Sequence, residues 1–304
     1  MSGLGAAAGV AIDSVVGEPP LAWHPVAKFG SAMIAVERRT YRDTRVAGVL
    51  HLTIGLAAAV AVGVGGRRLF GPLFATAAAT TLACAGRMLD SEALGIADQL
   101  AAGDLPAARV ALSALAGRTP DDLDETEIAR AVIESVAENS VDAVVSSIVW
   151  GAVGGAPAVL AHRATNTLDA MVGHHNERYE HFGWASARLD DVLNFAPARL
   201  AAGAVALCRP RAAMLVRATV RRDAHQHPSP NGGVIEAAYA AALGVKLGGV
   251  NRYGDESEDR GALGDGRAPM GTDIRAAVSL RRHTSAVLAS VAAVIGLLRW
   301  RWRR

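Results

Sequence analysis

The sequence predicts an all-α, multi-pass integral membrane protein with about five transmembrane or membrane-embedded helices and polar helical and loop regions between them. Three observations carry that prediction. Residues 46–66, VAGVLHLTIGLAAAVAVGVGG, run for 21 positions without a formal charge, which at ~1.5 Å per residue crosses a hydrocarbon core of roughly 30 Å. The chain is 51% hydrophobic but only 5% aromatic, so Ala, Val, Leu and Gly supply the apolar surface, as expected where helices approach closely in lipid. Strand-like alternation persists nowhere for more than a few residues. The alternative is a large Ala-rich soluble helical protein whose core helices imitate short spans.

The first 17 residues lack the basic flank of a secretory leader, and Asp13 interrupts their apolar run, so no cleaved leader is expected. After the 46–66 span and the Arg67–Arg68 pair, residues 69–86 add 18 more uncharged positions, and the two stretches read as a membrane hairpin with a very short turn. A polar helical insert follows at about 87–142. Within it Asp124 and Glu127 match an N-cap and its N3 partner ahead of the helical periodicity of Ile128, Ala131, Val132 and Val136. Weaker spans are residues 143–161, 192–208 with Arg199 inside, and 284–298. The terminal Arg-Trp cluster reads as an interfacial anchor, which with Arg67 and Arg68 belongs on the cytoplasmic side. Residues 251–273, NRYGDESEDRGALGDGRAPMGTD, hold almost no large apolar side chain and read as a mobile polar loop. Cys84 and Cys208 sit in apolar runs and read as buried thiols. The net charge of +2 and the lack of basic runs interleaved with aromatics exclude a nucleic-acid binder.

Two polar stripes stand out against this background. Glu134, Glu138 and Asp142 fall at i, i+4 and i+8 on one helical face, where like charges repel. They form either a solvated face at the bilayer edge or a magnesium site with Asn139 as an added oxygen ligand. Asn166, Asp169, Gly173 and Asn176 form a second stripe, with Arg163 and Glu177 at its edges, and suit close approach of a polar ligand. Arg178 and Arg188 are either phosphate or carboxylate contacts or plain surface charges. His174, His175 and His181 do not follow a zinc spacing, and no GxxxxGK[ST] loop is present to hold nucleotide phosphates.

These residues resemble the CobD/CbiB family, adenosylcobinamide-phosphate synthases of cobalamin biosynthesis. The resemblance runs end to end: DSVVGEPPLAWHP at 13–25, YRD at 41–43, AENSVDAVVSS at 137–147, RATNTLDAMVGHHNERYEHFGWASARLDDVLNFAPARL at 163–200, and SPNGGVIEAAYAAALGVKLGG at 229–249. Departures fall at Ser147, where the family pattern suggests proline, near His162, where it suggests tyrosine, and at His175, where it suggests arginine. The resemblance implies one multi-pass domain over residues 1–304 in the cell membrane. It also implies an ATP- and Mg²⁺-dependent ligase joining adenosylcobyric acid to (R)-1-aminopropan-2-ol or its phosphate, with cobalt present only inside the corrinoid substrate. On that reading Asn166, Asp169 and Glu177 form the catalytic wall. Arg163, His174, Asn176, Arg178, Arg188 and Asn231 meet substrate, and Glu138, Asn139 and Asp142 hold the metal. Implied partners are the corrinoid and aminopropanol phosphate substrates, the lipid bilayer and other cobalamin-pathway membrane proteins, with no nucleic acid. The rival reading is a non-catalytic corrinoid transporter or scaffold with Asp13 and Arg199 marking a pathway.

Overall fold

A computed structural model of the chain describes residues 1–19, 24–116, 123–174, 176–253 and 256–302. His175, part of the 13–25 motif and part of the 251–273 segment lie outside the described residues. In chain order the elements are α1 (Ser2–Val16), α2 (Pro25–Thr40), α3 (Arg45–Ala83), α4 (Gly86–Ala101), α5 (Leu105–Ala116) and α6 (Glu125–Asn139). A π-helical turn, Ser140–Val145, leads to α7 (Ser146–Gly154), α8 (Ala156–Val172), α9 (Trp184–Cys208), α10 (Ala213–Asp223) and α11 (Gly232–Leu243). Strands β1 (Leu247–Tyr253) and β2 (Glu256–Leu263) precede α12 (Gly271–Arg301). The chain divides into two compact units, Met1–Arg87 with Asp142–Asn194 and Ala289–Arg304, and Met88–Val141 with Phe195–Leu288.

In the first unit α3 is the axis against which α1 and α8 pack. The expected hairpin is present, but its reversal falls at Gly71 (φ 74°, ψ 167°) rather than at the arginine pair. Only glycine takes that backbone conformation without strain, and Pro72 has no N–H to continue the ladder. The returning arm brings Ala75 close to Gly66, 3.9 Å from where a Cβ there would lie. Contact along α3 is made by small residues, as the composition led one to expect. Ala75, Ala79 and Ala83 pack on Ala156 and Val159 of α8, and a Cβ at Gly63 would lie 2.5 Å from Pro157 Cα. Residues 143–161, expected as one weak span, are interrupted at Gly155 (φ 70°), where α7 ends and α8 begins. Among the described residues three helical stretches are long and apolar enough to cross a bilayer, Arg45–Ala101, Trp184–Cys208 and Gly271–Arg301, and Ser2–Val16 and Gly232–Leu243 are shorter apolar helices. That measure counts the hairpin of α3 within one stretch and does not confirm the expected count of about five.

In the second unit α11 is buried from Gly232 to Ala241, and packs with α6 and α10. The capping box at the start of α6 forms as expected, Glu127 N–H donating to Asp124 Oδ1 at 2.8 Å and Asp124 N–H to Glu127 Oε2 at 3.0 Å. The expectation of helix and loop alone fails at 247–263, where β1 and β2 pair antiparallel in the register Leu247↔Leu263 and Val250↔Asp259. The hairpin has a physical cause that no local pattern carries: Gly248 N–H donates to Glu134 Oε1 at 2.8 Å and Arg130 Nη1 donates to the Gly248 carbonyl, so polar side chains of α6 hold its first strand. Asp90 and Arg281 form a buried bidentate pair with both bonds at 2.6 Å. Cys84 is buried and Cys208 only half-buried, and neither is in a disulfide.

Gly48 on α3 lies against the chain at Phe182, whose carbonyl oxygen a Cβ would overlap, whereas Gly65 has no atom within 4 Å of that position. Gly65→Ala should therefore stabilise by up to ~1 kcal/mol through helix propensity, while Gly48→Ala should cost about 1–3 kcal/mol by overpacking. Thermal unfolding of the detergent-solubilised protein reads both, and a stabilising Gly48→Ala would contradict this packing.

Candidate functional site

Two polar clusters are built inside otherwise apolar helices, one in each unit. In the first unit, Asn166 and Asp169 lie about one turn apart on α8, and Asp190 and Asn194 one turn apart on α9. Asn166 Nδ2 donates to Asp190 Oδ1 at 3.4 Å, Asn194 Nδ2 donates to Asp190 Oδ2 at 2.9 Å, and Asp169 is within electrostatic range of Asp190. Asn194 Oδ1 accepts in turn from Ser146 Oγ at 2.7 Å and lies 2.8 Å from His162 Nε2, so its amide orientation is set from both ends. Gly173 belongs to the stripe for a reason the helical wheel only hinted at: a Cβ there would overlap Asp169 Oδ1. Arg163 Nη1 donates to Asn166 Oδ1 at 3.4 Å, with Glu18 and Asp142 as nearby opposite charges. The 13–25 motif enters here, because Glu18 also lies 3.2 Å from His24 Nε2.

The loop after α8 is placed differently. His174, Asn176 and Glu177 are exposed, and Asn176 Oδ1 accepts from Tyr179 N–H at 3.0 Å, closing a turn. Arg178 donates to Glu37 Oε1 at 3.0 Å and stacks 4.3 Å above the Tyr41 ring, while Tyr179 donates to the same Glu37 oxygen at 3.1 Å. Its guanidinium therefore anchors the loop to α2. His181 faces Asp43 of the YRD motif at 3.2 Å. Arg188 is largely exposed, with Asp191 at 4.0 Å.

In the second unit, Glu138 of α6, His227 and Glu236 of α11 bring one ligand atom each within 4.8 Å of one another. His227 Nε2 lies 3.3 Å from Glu236 Oε1 and 3.9 Å from Glu138 Oε1, and Arg260 of β2 reaches Glu138 Oε1 at 3.3 Å and Glu236 Oε1 at 3.7 Å. The SPNGG segment builds this arrangement. Ser229 Oγ accepts from the backbone N–H of Asn231 and Gly232 at the start of α11, and a Cβ at Gly232 would lie 2.9 Å from both Glu138 Oε1 and His227 Cε1. His227 Nδ1 sits 3.0 Å from Ser229 N and 3.2 Å from Ser229 O, so either tautomer is satisfied and Nε2 can present a proton or a lone pair. Desolvation, then the neighbouring Glu236 carboxylate, push the Glu138 carboxyl up to about 8. Asn231 Oδ1 accepts from Arg199 Nη1 at 2.9 Å.

Of the expected metal ligands, Glu138 thus joins His227 and Glu236. Asn139 Nδ2 donates back to Ser135 O and Oγ at 2.9 and 3.1 Å, and Asp142 lies in the π-helical turn, where the 3.6-residue spacing of the wheel no longer holds. Sequence reasoning missed Asp190, Asn194, His227, Glu236 and Arg260. Asp190 and Asn194 carried a signal, an i, i+4 polar pair in an apolar helix; His227, Glu236 and Arg260 are joined only by the fold.

Comparison with known proteins covers nearly the whole chain, both clusters included. The family profile described as CobD/Cbib protein matches residues 6–281. A relative described as cobalamin biosynthesis protein CobD, from Mycobacterium tuberculosis, is 46% identical over 298 residues, covering 96% of this chain and 95% of its own. Proteins of the same description from Geobacter metallireducens and Pelobacter propionicus are 42% and 38% identical, covering 94% and 95% of this chain and 94% of their own lengths. No solved structure matches the chain.

The Glu138 carboxyl ionises in the fold near 8 against an ordinary 4.5, so the folded protein holds an extra proton between those values. Its contribution to stability is complete below 4.5 and is lost as pH rises through about 8. Glu138→Gln mimics the protonated carboxyl and should flatten that decline in a series of melting curves across this range. Equal slopes in the two proteins would rule out the raised value.

Proposed function

The chain belongs to the CobD/CbiB family of cobalamin biosynthesis proteins, and from that premise we propose that it is an ATP-dependent amide ligase joining adenosylcobyric acid to (R)-1-aminopropan-2-ol or its phosphate in the cell membrane. The observation that carries the reading is the α8–α9 cluster. Asp169 and Asp190 are kept as neighbours, with Asn166 and Asn194 turned toward Asp190, inside the longest family-like segment. Two carboxylates side by side among apolar helices cost folding free energy, and a cationic ligand is what would relieve them.

Mg²⁺ fits this set, because Asn166, Asp169 and Asp190 offer oxygen donors only, as a small hard cation requires. The Glu138, His227 and Glu236 set fits it less well: it includes an imidazole and already holds Arg260 as counter-charge. When bound, Mg·ATP supplies the phosphoryl or adenylyl group that makes a carboxylate reactive toward an amine. The chain's own residues then have separable tasks. Arg163, partly buried beside Asn166, binds an anionic group; Asn166 orients it or an amide arm of the corrinoid through its remaining hydrogen-bonding capacity. Glu138 carries a proton near neutral pH, with His227 Nε2 beside it, and can release that proton or take one up at its carboxyl oxygen. Exposed Glu177, His174 and Arg188 are free to meet a large substrate at the surface.

The residues that would mark a transport pathway are instead engaged in structure. Asp13 Oδ2 accepts from Gly86 N–H at 3.2 Å, and Arg199 bridges Phe195 O, Asn231 and Pro230 O. Purified protein supplied with ATP, magnesium, adenosylcobyric acid and aminopropanol phosphate should therefore form adenosylcobinamide phosphate with consumption of ATP. Asp169→Asn keeps size and hydrogen bonding while deleting charge, and should lower turnover at least ~10²-fold, about 2.7 kcal/mol of transition-state stabilisation, with little change in melting temperature. Near-normal turnover in folded Asp169→Asn protein, or no product from the wild type, would remove the assignment.

A further inference from the structure

A cavity of about 280 Å³ lies in the first unit where the hairpin turn of α3, the end of α7, the start of α1 and the last turns of α12 meet. Arg67, Arg299 and Trp300 line it together with Ser2 and Pro72, and no acidic residue does. Among the described residues neither Arg67 nor Arg299 has a hydrogen-bond or ion-pair partner. In the sequence these are two separate basic clusters, at 67–68 and at the C-terminal end, each read as cytoplasmic by the excess of positive charge on that face. The fold places one arginine from each on a single wall. That wall is close-packed, since Gly296 approaches α1 so nearly that a Cβ would lie 2.8 Å from Leu4 N.

The surroundings say what kind of anion belongs there. Leu69, Phe70 and Phe74 on the hairpin, Leu297 and Leu298 on α12, and Trp302 just after it are exposed, and each is near Arg67 or Arg299 in the chain. Exposed apolar side chains at the ends of bilayer-length helices are met by acyl chains, and tryptophan next to arginine is the composition of the headgroup layer. A free phosphate would leave that apolar surface uncovered, and a zwitterionic headgroup would bring an ammonium group to two arginines with no acid to receive it.

We propose that this cavity binds the phosphate of an anionic phospholipid, Arg67 and Arg299 holding the headgroup while its chains lie along the exposed hairpin and α12 side chains. The site is separate from the two polar clusters and does not depend on the reaction assigned to them.

The test uses the delipidated full chain in detergent, titrated with phosphatidylglycerol, phosphatidylcholine or inorganic phosphate and read by thermal unfolding and native mass spectrometry. Phosphatidylglycerol should be retained and should raise the melting temperature, and the other two should not. The double variant R67Q/R299Q should weaken phosphatidylglycerol binding about 30-fold, from the loss of two arginine contacts. R67K/R299K should keep most of it, and R68Q, outside the cavity lining, should leave it nearly unchanged. If the double variant does not fold, R67Q and R299Q singly should each lose about fivefold. Equal binding of phosphatidylcholine, unchanged affinity in the glutamine variants, or the same shift with phosphate alone would each overturn the proposal, the last by showing a simple anion site.

Discussion

Backbone meeting backbone across glycine and alanine is the constraint on which the first unit depends. A lipid environment gives no hydrophobic reward for bringing two apolar helices together, so association rests on dispersion contacts and close approach. Small residues on α3 provide it. Gly9 of α1 sits against Ala77 and Thr80, Gly63 against Pro157, and an alanine seam from Ala75 to Ala83 against α8. A side chain at any of these glycines would push a helix outward. Because α8 carries Arg163, Asn166 and Asp169, the seam that packs its apolar face also decides where the polar face points.

Charged groups in this chain fall into two energetic kinds. Asp90 with Arg281 and Glu37 with Arg178 are opposite charges in contact, which offset their own desolvation. Asp169 beside Asp190, and Glu138 beside Glu236, are acidic groups brought together away from bulk water, where ionising both members of a pair is disfavoured. Asn166 and Asn194 hydrogen-bond to Asp190, and His227 and Arg260 face the Glu138–Glu236 pair. Stability alone gives no reason to retain such pairs, whereas a site that binds a cation or exchanges a proton does. Both pairs lie in segments that resemble the CobD/CbiB family, and relatives near full length carry the cobalamin-biosynthesis description.

Glycines tie the two themes together at the polar clusters. Gly173 leaves room for the Asp169 carboxylate, and Gly232 lets the first turn of α11 lie on Glu138 and His227. In a sequence they read as loop or helix breakers. Their role is to admit a polar side chain of another residue at less than ordinary contact distance.

The sequence by itself determined the helical class, the membrane hairpin, the capping box of α6 and the family, because each rests on local periodicity or on contiguous motifs. It also marked Asn166, Asp169, Arg163 and Glu138 as unusual, since a polar stripe on an apolar helix is visible without a fold. Only the tertiary structure decided what those residues face. Asp190 and Asn194 meet α8 through helix packing, and Glu138 finds Glu236, His227 and Arg260, the first of them 98 positions away in the chain. The π-helical turn at 140–145 breaks the α-helical spacing by which an ideal wheel places Asp142. The β1–β2 hairpin was equally hidden, because its pairing is supported by hydrogen bonds from α6 rather than by alternating apolar side chains. Local rules report period and composition; the energy of a charge depends on neighbours that only folding brings near.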